Sequence, residues 1–341
     1  MRYTYTLLAS TAIFALASFT LTLVLSPAPI PAEYWVREML VIKRDIAKKY
    51  AGQKKIIIAS GSNTLFNIDT IQLGRELNVP VINYGLHAGL PLQTILDEAA
   101  AAVQNGDSII LPLEPPYYCD ADQTSWRARN LFAWDSEKWN EFSFIERIKI
   151  IGMLSPAIFI DVPMASIRES FMPESIQGRL NALDDTNIRA RLSSEKLEKF
   201  EYSAYNLDSL GNMNNTDRVH YIRSPKRADS GIKVCTASLA LLTRFKEEMT
   251  DKGVELYFAN TPYVALRGLN SKKVMTTSRS FSAKLSEIAP VLDDKSQLIF
   301  RRRHFFNTAL HLNAKGRRIR TSILAKSIKS NSHLNARIQS D

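Results

Sequence analysis

Cysteine is nearly absent from this chain: Cys119 and Cys235 are the only two among 341 residues. They lie far apart and match neither a zinc-ligand spacing nor a redox pair, so no metal site is expected from them. A single disulfide between them is open if the chain is exported. Internal repeats and low-complexity tracts are also missing, which sets aside a repeat array. Acid is absent from Arg301 to Lys329, where nine basic residues stand. The net charge of +10 is therefore concentrated in one stretch. Such a basic face suits lipid head groups or an acidic polymer, or is simply a solvated helix face. No nucleic-acid motif or basic-aromatic repeat accompanies it, so nucleic acid is not an expected partner.

Charge of either sign is missing from Leu7 to Leu25, an uncharged run of 19 residues. At 1.5 Å per residue such a helix reaches about 28 Å, close to the thickness of a bilayer core. The apolar core of a secretory signal is shorter, about 7–15 residues. Residues 1–27 therefore read as a retained single-pass anchor, with a cleaved signal as the alternative. Arg2 precedes the run, and Arg37, Lys43 and Arg44 follow it. Charge counting would leave the bulk of the chain in the cytoplasm, although large domains translocate largely regardless of such counts.

What is present after the anchor is alternation. "SPAPIPA" makes a stiff spacer. The following helix places Val36, Met39, Ile46 and Tyr50 loosely on one face and stops near Gly52. "KIIIA" is a short, β-branched, apolar run, as in a strand covered on both faces, and "VPVINYG" and "SIILPLE" read as a second and a third short strand. Helical segments separate them, and this order predicts an α/β fold with a doubly wound parallel sheet. The pattern lapses over about 115–229, read as a mainly helical or irregular insertion within one domain spanning 28–341. It resumes with "VELYFANTPY" and "QLIF" and ends in a helix expected to bury Ile319, Ile323 and Leu324.

In an open parallel sheet, ligands collect at the carboxyl ends of the strands. Four stretches rich in chemical groups leave strands or sheet edges there: "SGSN", "NYGLHAGL", "LPLEPPYY" and "HFFNTALHLN". Ser62 follows the first strand, either as a nucleophile or as part of a tight turn or N-cap, with Asn63 beside it. His311 is suited to act as its base, or else caps or packs. Gly85 and Gly89 allow a backbone to approach a ligand closely, or are plain turn residues. His87 lies between them. Glu114 could hydrogen-bond a substrate, steer His311 or cap a helix.

Together these blocks resemble the SGNH (GDSL-like) hydrolase superfamily, in particular a membrane-anchored branch associated with exopolysaccharide. The resemblance runs from about Lys54 to Ile328 through four short blocks. It implies a flavodoxin-like sheet, Ser62 as nucleophile, Gly85 as an oxyanion donor, and His311 as base, with no cofactor. Two departures stand out. The third block offers Glu114 where the family has an asparagine. Four residues before His311 stands Asn307, where this branch places an aspartate. The implied activity is hydrolysis or transfer of an O-acyl group on a cell-envelope glycan, with the chain in the inner (cytoplasmic) membrane and its domain facing the periplasm or cell exterior. The alternative is a membrane-tethered binding or scaffold subunit that keeps the fold without turnover.

Overall fold

The computed structural model describes residues 2–119, 125–172, 197–217, 231–265 and 271–339. The stretches 120–124, 173–196 and 218–229 of the expected insertion lie outside the described residues. The chain divides into two compact units, one of residues 1–38 and 123–187, the other of 39–122 and 188–341. Sequence reading drew the boundary elsewhere, with an anchor and then one domain.

The first unit opens with α1 (Arg2–Val24). Tyr3–Val24 is long and apolar enough to cross a membrane, with a mean hydropathy of 2.0. α2 (Tyr34–Lys49) begins in this unit and runs into the second; Val36, Met39 and Ile46 are buried along it. The segment between α1 and α2 is stitched to the insertion. Glu33 takes a hydrogen bond from Trp126, and its N–H donates to Asn130. The unit continues with α6 (Ser125–Trp134), α7 (Ser136–Glu141), α8 (Phe144–Gly152) and α9 (Ile158–Ser170). α8 starts at a capping box, in which Ser143 and Glu146 satisfy each other's backbone N–H.

The second unit holds β1 (Ile56–Ser60), α3 (Ser62–Asn67), α4 (Thr70–Leu77), β2 (Val81–Gly85), α5 (Leu92–Ala101) and β3 (Ser108–Leu111). After the insertion come α10 (Thr236–Asp251), β4 (Glu255–Phe258), β5 (Tyr263–Val264), α11 (Ser271–Ser286), β6 (Ile299–Phe300), α12 (Ala314–Ser330) and α13 (Ser332–Gln339). The main sheet is parallel throughout, in the order β2-β1-β3-β4, and β5 pairs with β6 separately. Every residue of β1, β2 and β3 is buried, which is why the strands are mostly apolar, with Ser60, Asn83 and Ser108 as buried polar exceptions. Ile56, Ile58, Val81 and Ile110 pack with Leu73 and Leu77 of α4 and with Leu324 and Ile328 of α12. α5 lies against β1 and α10 against β4.

Two buried ion pairs brace this unit. Lys55 meets Asp107 at 2.6 Å, joining the starts of β1 and β3. Arg320 meets Asp293 at 2.6 Å, with both side chains sealed from solvent. Arg320 therefore does not belong to an anion-facing surface, and Arg317, also buried, donates to the Met213 carbonyl. Of the nine basic residues from Arg301 to Lys329, these two turn inward. The expected buried stripe of α12 is also corrected. Leu324 is buried and Ile323 partly buried as expected, but Ile319 is exposed, and Thr321, Ala325 and Ile328 join the buried face.

β1 is the point where the sheet reverses direction. The chain moves from β1 to β2 on one side and then crosses to β3 on the other. Crevices form at the carboxyl ends of strands at such a point. Ser62 leaves β1 and Glu114 leaves β3 there.

Candidate functional site

Ser62 is the first residue of α3, and Gly61 is its N-cap. Glycine is needed at 61 by crowding. A Cβ there would stand 2.7 Å from the Tyr117 hydroxyl, 2.8 Å from Glu114 Oε1 and 2.9 Å from the Ala88 Cα. The turn is tightened further by Ser60, whose Oγ accepts from the Thr64 N–H at 2.9 Å. The abrupt end of an apolar strand in Ser-Gly-Ser-Asn is thus a strand-to-helix turn, and one that also presents a hydroxyl.

His311 Nε2 lies 2.9 Å from Ser62 Oγ. Its other ring nitrogen, Nδ1, lies 2.8 Å from Asn307 Oδ1. The Asn307 amide nitrogen donates to the Tyr202 hydroxyl at 2.7 Å, which turns its oxygen toward the ring. An amide oxygen can only accept, so Nδ1 carries the proton and Nε2 offers its lone pair to Ser62. The imidazole stacks on Phe66 with centroids 4.0 Å apart and an interplanar angle of 8°. Burial, and secondarily the proximity of His87, hold the His311 pKa down at about 3. The ring is therefore neutral across the physiological range.

Asn67, which sequence analysis did not single out, fastens α3 to the histidine loop. Its Nδ2 donates to the Leu310 carbonyl at 2.6 Å, and its Oδ1 accepts from the Leu312 N–H at 2.6 Å. These bonds bracket His311. Asn67, Phe66 and Tyr202 carried no separable signal in sequence, because their partners are brought close only by the fold.

Glu114 does not touch His311 among the described contacts; it caps the serine turn. Its carboxyl accepts from the Asn63 N–H at 2.6 Å and the Gly61 N–H at 3.1 Å. It also hydrogen-bonds the Ser62 side chain. Burial outweighs these bonds and pushes its pKa up to about 7.

Gly85 and Asn63 do not take the ligand-facing roles that the resemblance implies, and Gly89 follows the turn reading. The Gly85 N–H donates to Asn83 Oδ1 at 2.9 Å, so it does not face an oxyanion. Gly85 is required for another reason: a Cβ there would strike the backbone of Leu65 in α3, 2.8 Å from its Cα. The Asn63 side chain is buried, donating to the Pro112 carbonyl at 2.6 Å and accepting from Asn67, so it is not free to bind substrate. The Gly89 N–H donates to His87 Nδ1 at 3.0 Å, closing that loop on itself. A cavity of about 570 Å³ opens beside Asn307, lined also by Glu198, Lys199, Phe200, Asn215, Asp217 and Phe306. Among the described residues no group of three or more His, Cys, Asp or Glu side chains is placed to hold a metal ion.

No family model, curated protein or solved structure matches the chain. What the site can do therefore follows from its geometry. It comprises a hydroxyl on a neutral imidazole, an amide fixing that imidazole's tautomer, and a buried carboxyl against the hydroxyl.

Proposed function

We propose that the chain is a serine-dependent esterase or O-acyltransferase of the SGNH type, acting on acyl esters of a cell-envelope glycan. The observation that carries this is the Ser62–His311 contact of 2.9 Å across 249 residues of sequence, with Asn307 on the far ring nitrogen. A structural serine does not need an oriented, neutral base on its Oγ. The glycan and the flavodoxin-like family rest on the sequence resemblance.

In the reaction, Ser62 Oγ attacks the acyl carbonyl carbon while its proton passes to His311 Nε2. The tetrahedral intermediate collapses as His311 returns that proton to the departing alcohol oxygen, leaving acyl-Ser62. Water, or a sugar hydroxyl in the transfer case, then repeats the sequence and frees Ser62. On the family pattern the Ser62 N–H would hold the developing oxyanion. Glu114, which accepts from the Gly61 and Asn63 N–H groups, holds the turn that presents Ser62.

The disulfide between Cys119 and Cys235 supports placing the domain outside the cytoplasm, since such bonds persist in oxidising compartments. The protein then sits in the inner membrane through α1, with its domain in the periplasm or at the cell exterior. Hydrolysis of p-nitrophenyl acetate by the full chain tests the reading. Activity lost in Ser62→Ala supports it. Equal rates in both proteins, or none in either, would leave the scaffold alternative, which Asn307 in place of an acid favours.

A further inference from the structure

We infer that α9 lies in the membrane interface alongside α1, with Ile160, Met164, Ile167 and Phe171 among the acyl chains. The inference rests on reading α1 as a membrane-inserted helix. Those four residues are exposed by 68%, 59%, 54% and 85%. Their spacing of four, three and four residues puts them on one narrow stripe of the helix. Ile158, Val162 and Ala165, on the opposite side, are buried within the unit. α9 and the residue just past it are thus apolar on two faces, of which the described residues of the unit cover one.

What covers the other is indicated by α1. The rings of Phe19 and Phe159 lie 6.3 Å apart, and the two helices pack together. Phe19 lies within the apolar stretch Tyr3–Val24. If that stretch enters a bilayer, the first turn of α9 enters with it. α1 is itself uncovered over most of its length, with Leu7, Leu8, Ile13 and Phe14 all exposed.

The polar groups of both helices are also treated alike. Ser166 Oγ donates to the Val162 carbonyl at 3.1 Å, and Ser170 Oγ to that of Ser166 at 3.0 Å. In α1, Thr11 Oγ1 donates to Leu7 at 2.9 Å and Thr22 Oγ1 to Ser18 at 2.9 Å. Hydroxyls bonded back to their own helix need no water, as a lipid setting demands. The Asp161 carboxylate, on the flank of α9, is paired with Arg129 at 2.8 Å. A soluble surface helix would instead carry its charges where the stripe stands.

The test uses the full chain in phosphatidylcholine–phosphatidylglycerol vesicles containing a lipid with a diazirine on its acyl chain. After irradiation, labelled peptides are mapped by mass spectrometry. Adducts are expected on α1 and on the Ile160–Phe171 stripe, and none on Val162 or Ala165. The exposed pair Met164→Asp and Ile167→Asp should cut labelling of α9 at least tenfold while that of α1 persists. Labelling of α1 alone would overturn the inference and leave the anchor intact. Labelling of neither helix would overturn both.

Discussion

At the scale of single residues, the proposed reaction turns on Glu114. The Ser62 hydroxyl has one proton and two acceptors within reach, His311 Nε2 and an ionised Glu114. While Glu114 is protonated, the hydroxyl is free to turn to His311. Once it ionises, the carboxylate competes for that proton and sets a negative charge beside the oxyanion. With the Glu114 pKa at about 7, kcat/KM should fall about tenfold as pH rises through neutrality. Glu114→Gln should remove that inflection. The same proton is linked to stability. Because the pKa is raised from 4.5 to about 7, its stabilisation is complete below pH 4.5 and lost as pH rises through 7. Melting of the wild type against Glu114→Gln between pH 4 and 8 measures that slope. Asn307 has a separate effect. It fixes the His311 tautomer but gives the imidazolium no countercharge, and in a serine-protease triad the Asp-to-Asn change costs about 10⁴-fold in kcat. Asn307→Asp should therefore raise kcat by about tenfold or more with little change in KM, and Tyr202 can donate to the new carboxylate in place of accepting.

At the level of elements, the serine turn depends on how closely α3 approaches β2. Gly85 pairs with Ser60 in the sheet and lies directly under Leu65. Gly85→Ala would force a methyl into rigid backbone and should cost about 1–3 kcal/mol, read as a lower urea midpoint, with esterase activity falling as Ser62 shifts. The strands were legible in sequence because burial on both faces leaves short, mostly apolar runs, and the Ser62–His311 pairing was legible only through the family resemblance together with their placement at one sheet edge. Gly85 was not legible in the same way. A glycine after a strand looks identical whether its N–H meets a ligand or its Cα meets a helix. The burial of Arg320 and Arg317 was likewise hidden, since Asp293 and the Met213 carbonyl become neighbours only through folding. Ile319 follows the helical period of α12, yet the face that packs on the sheet is set by Leu324, Ala325 and Ile328.

For the whole molecule, one covalent link and one reaction matter most. The Cys119–Cys235 disulfide closes a separation of 116 residues, from the end of β3's exit loop to the start of α10. Constraining the unfolded chain over a loop of that order is worth at most about 5 kcal/mol. Reduction should lower the melting temperature, and the double change Cys119→Ser and Cys235→Ser should lower it equally and abolish the effect of reductant. The central claim is that Ser62 is a nucleophile activated by His311, and covalent labelling tests it most directly. Full-length protein incubated with a fluorophosphonate probe should gain one adduct by intact mass, located on Ser62. The adduct should be absent in Ser62→Ala and should form at least about 10²-fold more slowly in His311→Ala. A folded wild-type protein that takes up no adduct, or takes it up elsewhere than Ser62, would contradict the account.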